Sequence, residues 1–487
     1  MRLFRTKPVD QLIAESEDTE HGMQKVLTAT NLVLLGVGCV IGTGIFVLTG
    51  TAAAMHAGPA ITLSFLLSGV GCVFAGLCYA EFASMLPIAG SAYTYSYATL
   101  GEFMAWIIGW DLILEYLFAS STVAVGWSGY MVSFLNDFGV HIPEKLCDSP
   151  VAYTKEAGWY LTGNLMNLPS VFIIVIISAL LIVGIKESTK FNNIIVFVKV
   201  AVVLLFIGFG ASYINSDNWT PYIPENTGIF GQYGISGIFT GAGVIFFAYI
   251  GFDAISTAAQ ETKNPKRDMP IGILGSLLVC MILYVAVSAV LTGIVDYREL
   301  NVAAPIAVAI DKTGEALFWL RPLIKVGAIA GLSSVILVLL LAQPRIFYTM
   351  AKDGLLPKSF SRLHPKYRTP HVTTILTGGA AAIMSGLLPL NILGELVSIG
   401  TLLAFVIVCA SVLILRIKKP GIDRPFRTPW VPFVPVMGMA ICLSQMIALP
   451  LDTWLRLFGW MGIGIVVYFM YSYKHSRLQS QEKGQSA

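Results

Sequence analysis

Charge is what this sequence has least of. Only 12% of its 487 residues are Asp, Glu, Lys or Arg, against about 25% in a soluble domain, so a water-solvated globule is excluded. The net charge of +3 is too small to draw a nucleic acid, and no nucleic-acid partner is expected. The chain has no GxxxxGK[ST] phosphate loop and no GxSxG nucleophile elbow, which argues against ATP-driven work by this chain alone and against hydrolase chemistry. None of the six histidines pairs with another at metal-ligand spacing, and His21, His141, His364 and His475 fall outside the apolar runs. The seven cysteines form neither a disulfide framework nor a zinc pattern. Six lie in apolar runs, where cysteine serves as a small buried hydrophobe, and Cys147 stands alone in a polar loop. The N-terminal stretch MRLFRTKPVDQLIAESEDTEHG lacks the short apolar core of a cleavable signal. No cofactor, no metal and no enzymatic activity are expected.

What is present is apolar sequence, 56% of the chain, arranged in runs long enough for a bilayer, which needs roughly 20 apolar residues. Twelve candidate spans follow from the polar and proline-containing breaks: 30–54, 60–86, 98–134, 168–185, 190–213, 233–258, 270–293, 322–351, 371–388, 391–415, 430–450 and 453–473. The pattern is that of an all-α integral membrane protein. Lysine and arginine placement orients it. With both ends cytoplasmic, roughly 23 of the 31 basic residues face inward and about seven face outward: Lys145, Lys155, Arg298, Lys312, Arg321, Lys325 and Arg456. One basic residue, Lys199, then has no loop to occupy.

The first span contains GVGCVIGTGIF, Gly36 to Phe46, with Gly42-Thr43-Gly44 at its midpoint. The sixth contains IFFAYIGFDAIST, Ile245 to Thr257, again with a glycine near its middle. The third and eighth spans are both longer than a bilayer requires. Each of these pairs is five spans apart, which indicates two inverted repeats of five helices, 30–213 and 214–415. Residues 416–473 supply two further helices, between an N-terminal segment 1–29 and a tail 474–487, both cytoplasmic. Breaking a helix in hydrocarbon frees backbone groups that cost several kcal/mol each, about what a ligand bond can offset. Beyond the first break, free amides and the positive end of a half-helix suit a carboxylate. Before the sixth break, free carbonyls suit an ammonium. An α-amino acid carries both. The competing reading of the glycines is close helix packing.

Ionisable residues inside spans are functional candidates, because a charge at the bilayer centre costs about 2.5–3.5 kcal/mol on insertion scales. Lys199, in IIVFVKVAVVLLF, is such a residue. Burial disfavours its charged form and would bring it within reach of proton exchange. Alternatively it is a structural lysine bonded to carbonyls or a carboxylate, or one snorkelling to the interface. Asp253 either caps the second half of the sixth span or contacts a substrate ammonium. Glu115 and Asp111 lie one turn apart on the third span. Glu115, nearer mid-span, either meets a cationic side chain or a proton, or makes a buried structural hydrogen bond. Glu81, Glu102 and Glu395 lie near span ends and read as structural. Small residues at Gly90, Ser91 and Ala92 fit either a segment packed on the core or an ordinary loop.

GVGCVIGTGIF and the segment CYAEFASMLPIAGSAYTYSYATLGE (Cys78–Glu102) resemble the amino acid–polyamine–organocation superfamily of permeases. FFAYIGFDAISTAAQETKNPKRDMPIGI (Phe246–Ile273), RIFYTMAKDGLLP (Arg345–Pro357) and RPFRTPWVPFVP (Arg424–Pro435) are similar to its cationic amino acid transporter branch, especially the bacterial members. The resemblance runs from about residue 25 to 475. It implies a leucine-transporter-like fold: five-plus-five inverted repeats with discontinuous helices 1 and 6, and two C-terminal helices. It also implies a carboxylate site at Ile41, Gly42, Thr43 and Gly44. The amino group would go to the carbonyls of Phe247, Ala248 and Ile250, with Asp253 close by. Lys199 matches the family's fifth-span lysine, associated with proton coupling in place of sodium, and Glu115 a third-span glutamate facing the cavity. Leu339, in the apolar Leu339–Leu341 segment of the eighth span, would border the side-chain pocket, and an apolar lining argues against strict arginine or lysine selectivity.

The expected function is therefore proton-coupled symport of small neutral or cationic L-amino acids by alternating access, in a plasma membrane, with compact loops that suit a bacterial inner membrane. The alternatives are an amino acid exchanger or a sodium-coupled symporter, and, in a different class, a membrane sensor that binds amino acids, for which the short tails offer no output domain. The sequence leaves open the oligomeric state and whether a small single-span membrane protein binds the bundle.

Overall fold

Inside a bilayer every backbone N–H and C=O must find a partner within the protein, so apolar runs of this length become helices. The computed structural model describes residues 4–8, 27–86, 91–154, 158–183, 189–302, 304–367 and 369–479. Most of the N-terminal segment (with His21), Gly90, Lys155 and the tail beyond residue 479 lie outside the described residues. The apolar helices are α1 (Ala29–Val40), α2 (Ile61–Met85), α3 (Glu102–Asp137), α4 (Leu168–Val183), α5 (Thr189–Gly210), α6 (Gly234–Ile245), α7 (Pro265–Ile294), α8 (Leu320–Lys352), α9 (His371–Leu387), α10 (Leu390–Lys418), α11 (Phe433–Ala448) and α12 (Leu451–Val467). Among the described residues, eight helical stretches are long and apolar enough to cross a membrane, and α1, α4, α9 and α11 are shorter apolar helices. The chain is a multi-pass membrane protein.

Several boundaries differ from the sequence expectation for local reasons. The third span begins at Glu102, because Gly101 takes φ +101° and separates it from a short helix, Ser91–Thr99. That short helix buries Tyr93, Tyr95 and Tyr97 against the core. The first span continues past residue 54 to Ala57 through turns of π-helix, and Gly58, with φ +60°, divides it from α2. Lys325, counted with the outer loops, lies inside α8, fully buried, with its ammonium 2.6 Å from Asp137 at the end of α3. A hairpin of Val151–Thr154 and Gly158–Leu161 lies between α3 and α4.

Helix packing follows a regular pattern. α2 lies against α7, α3 against α8 and α4 against α9, each helix meeting the one five positions later. α1 leans on α7 and α5, and α10 on α3 and α11. Small residues set these approaches: a Cβ on Gly76 would come within 2.7 Å of Leu277, and one on Gly272 within 2.6 Å of Leu32. Where α2 ends, Glu81 is buried and accepts from Arg416 at 2.6 Å and from the amide of Thr428 at 2.8 Å, with Arg424 at 3.3 Å. That cluster ties α2 to the end of α10 and to the loop after it.

Candidate functional site

The first and sixth spans both break, and the breaks meet. α1 ends at Val40, Ile41 is extended, and helical structure resumes at Thr43. The first bond of the second half runs from Phe46 N to Gly42 O at 3.2 Å, so the amides of Gly42 to Ile45 have no partner one turn back. In the sixth span, α6 runs into a 3-10 turn (Phe246–Tyr249), Ile250 is extended and Gly251 takes φ +114°. The chain then continues as a 3-10 helix, Asp253–Glu261. Gly44 sits directly on Ala248, and a Cβ there would overlap the Ala248 backbone. Gly251 packs less tightly on Cys39, where a Cβ would lie 3.0 Å from the Cys39 Cβ.

A cavity of about 20 Å³ opens between the breaks, room for about one water molecule. Cys39, Val40, Gly42, Thr43 and Gly44 line it from the first span, and Phe247 and Ile250 from the sixth. α3 contributes Ala119 and Val123, and α8 contributes Val335 and Leu339, an i, i+4 pair from each helix. The Thr43 hydroxyl is buried and has no hydrogen-bond partner. Amides on one side, carbonyls on the other and aliphatic side chains between them match the chemistry of a small zwitterion with an apolar side chain, which the cavity would have to widen to admit.

The remaining expected site residues surround this cavity. Ile41 is fully buried at the break, and its carbonyl accepts from the Lys199 ammonium at 3.1 Å. That ammonium also donates to Gly38 O at 2.5 Å and to Ser334 Oγ on α8 at 3.3 Å. A cation at the carbonyl end of α1 is favoured by the helix dipole. Gly331 leaves the room it needs, since a Cβ there would lie 3.2 Å from Lys199 Cδ. Asp253 accepts from Tyr116 Oη at 2.9 Å and from the Gly251 amide at 3.2 Å, and so holds the sixth-span break in shape. Neither Asp253 nor Glu115 is among the cavity-lining residues. Glu115 is buried one turn before Ala119 on α3, and its Oε1 has no partner.

Tyr284, on α7, escaped the sequence reading. Its hydroxyl lies 2.7 Å from Val40 O and 2.8 Å from Ala248 O, so its one proton bridges the two breaks by serving either carbonyl in turn. Ser334, Val335, Ala119 and Val123 were missed as well. A lone buried tyrosine in an apolar helix was the only signal available for any of them.

A family model described as amino acid permease matches residues 27–471. The chain belongs to the amino acid permease family. It is a transporter and not an enzyme. The permease is 48% identical over 476 residues to a methylthioribose transporter of Bacillus subtilis (strain 168), covering 98% of this chain and 99% of the relative. It is 47% identical over 477 residues to a branched-chain amino acid permease of the same organism, with the same coverage. Similarity to cationic amino acid transporter 4, vacuolar, of Arabidopsis thaliana is 39% over 419 residues, 86% of this chain and 68% of the relative.

Proposed function

We propose that the permease is a proton-coupled symporter of small L-amino acids working by alternating access, with neutral aliphatic substrates preferred over cationic ones. The observation that carries this reading is the pair of backbone breaks facing one another across a cavity whose side-chain surfaces are aliphatic: Ala119, Val123, Val335 and Leu339. The carboxylate binds at Ile41 to Gly44, and the amino group at the carbonyls of Phe247, Ala248 and Ile250 beside Asp253. Leu339 faces the substrate side chain, and Glu115 lies behind that pocket. The branched-chain permease relative supports the aliphatic preference. A cationic side chain would have to reach Glu115 past Ala119.

Alternating access would follow from two repeats, 30–213 and 214–415, and the pairing of α2, α3 and α4 with the helices five positions later supports this five-plus-five, leucine-transporter-like arrangement within a twelve-span protein. Residues 416–473 would add the last two helices. The basic-residue asymmetry supports cytoplasmic segments at 1–29 and 474–487 and a place in the plasma membrane. Lys199 would couple the proton: its ammonium stands where the carbonyls of α1 would otherwise attract sodium, and losing its proton would release α1 from α8.

The test is uptake of labelled alanine, valine and arginine into sodium-free proteoliposomes, with and without an inward proton gradient. Accumulation driven by the gradient, valine and alanine ahead of arginine, is expected. Uptake that ignores the gradient but responds to amino acid preloaded inside would make the permease an exchanger. The methylthioribose transporter relative gives a second reading, that the cargo is a thioether sugar, and competition by methylthioribose against labelled valine decides it.

A further inference from the structure

Beyond its first residue, Glu102, α3 carries two acids in the first half of its length that do not line the cavity. Asp111 and Glu115 precede Ala119 at four-residue steps, each about 6 Å along the helix. They form a row from the cavity toward the N-terminal end of α3. Asp111 is 0% exposed and Glu115 is 1% exposed. Both oxygens of Asp111 and Oε1 of Glu115 have no hydrogen-bond partner. Gly400 of α10 makes room for the first carboxyl: a Cβ there would lie 3.1 Å from Asp111 Oδ1.

The surroundings offer no counter-charge among the described residues. The charges acting on Glu115 are the carboxyls of Asp253 and Asp111, and no cation acts on either member of the pair. Facing the pair from the second half of the sixth span is Asp253, bound to Tyr116 of α3. From α2 comes Tyr79, and from α10 Thr401. α8 brings the Gln343 amide, which donates to Ile113 O at 3.2 Å and whose Oε1 is itself unpartnered. Arg345 of α8 is half-buried and acts on neither carboxyl. Tyr95 of the short helix Ser91–Thr99 acts on Tyr79. α4 carries no titratable residue, His371 opens α9, and Asp452 and Arg456 sit in the first turns of α12. Lys199 is committed to Gly38, Ile41 and Ser334. Two buried carboxylates one turn apart with no counter-charge, Asp111 without any hydrogen bond and Glu115 with only the Thr401 hydroxyl beside it, cost several kcal/mol each when ionised. The neutral acids do not carry that cost.

We propose that Asp111 and Glu115 form a proton-binding pair beneath the substrate cavity, separate from Lys199, with Asp111 its outlying member. Each carboxylate takes one proton from a hydronium ion as it is buried, leaving water, and gives it back to a water molecule as hydronium when the α3–α10 seam opens. Asp253 differs from the pair in already accepting hydrogen bonds from Tyr116 and the Gly251 amide. The pair matters for transport only if the chain is the symporter proposed above, so the two claims need separate readouts.

The first readout is infrared spectroscopy of the purified full chain in lipid nanodiscs, which distinguishes the C=O stretch of a protonated carboxylic acid from the bands of a carboxylate. A protonated band is expected at neutral pH, reduced in Asp111→Asn and reduced again in the double variant with Glu115→Gln. Labelling aspartate with carbon-13 in the unmutated chain must move part of that band, which covers the case in which Asp111→Asn does not fold. The second readout is transport. One pH unit of gradient per coupled proton is worth about tenfold accumulation, so the ratio of gradient-driven accumulation to counterflow should fall by about tenfold in Asp111→Asn. Absence of a protonated aspartate band, or an unchanged ratio, overturns the proposal. Wild-type chain that moves no amino acid overturns the symport reading instead and leaves the infrared result to stand by itself.

Discussion

Replacing Lys199 by methionine keeps most of the side-chain volume and removes the ammonium. In the folded chain that group satisfies the carbonyls of Gly38 and Ile41 and touches Ser334 Oγ, all of them buried. An unpaired buried acceptor costs about 1–3 kcal/mol, so the two carbonyls together lose about 2–6 kcal/mol. Relief of the ammonium's own burial opposes this and is worth several kcal/mol by itself. Taking the upper end of that loss, because Gly38 and Ile41 are both buried, a net destabilisation of about 2 kcal/mol is expected. Chemical unfolding followed by tryptophan fluorescence in detergent measures it. Gradient-driven uptake should disappear in the same variant while counterflow survives in part. A variant as stable as the parent that still accumulates substrate against the gradient would refute the reasoning, because neither the anchor between α1 and α8 nor the proton step would then need the lysine.

Gly44→Ala drives a Cβ into the Ala248 backbone and should cost about 1–3 kcal/mol as overpacking with loss of substrate binding. Gly208→Ala on α5, where a Cβ meets nothing within 4 Å, should be neutral or slightly stabilising, and thermal-shift assays compare the two. Leu339→Ala widens the cavity from α8. Relative uptake of leucine over alanine should rise by about tenfold, the scale of one or two methylenes in an apolar pocket. Glu81→Ala strands the buried Arg424 and the partly exposed Arg416 and should destabilise by about 3 kcal/mol, the low end for breaking a buried pair, with no change in which amino acid is preferred.

Much of the fold was legible in advance, because hydropathy is a property of a contiguous stretch. α3 and α8 read as unusually long, and they run for 36 and 33 residues. The glycines at positions 42 and 251 marked the chain interruptions, since local backbone geometry needs no distant partner. Boundaries slipped where one residue's dihedral decided them, as at Gly101. Lys199 stood out as a charge in apolar surroundings, yet its three oxygens come from residues 135 to 161 positions away. The cavity lining was least legible. Leu339 entered the expectation only through the family resemblance, while Val335 shares one face of α8 with other aliphatic side chains of the same kind, and nothing local says which of them turns inward.

By itself, then, the sequence determined the solvent, the helices and the interruptions, because burial in lipid and the geometry of glycine act over one turn to one span. Tertiary structure alone decided that Gly44 would lie on Ala248, that Tyr284 would bridge two carbonyls and that Asp111 would be left without a partner. Those outcomes depend on how each helix is rotated about its own axis. The rotation is set by the summed packing of neighbours hundreds of residues apart, which no single stretch of the sequence records.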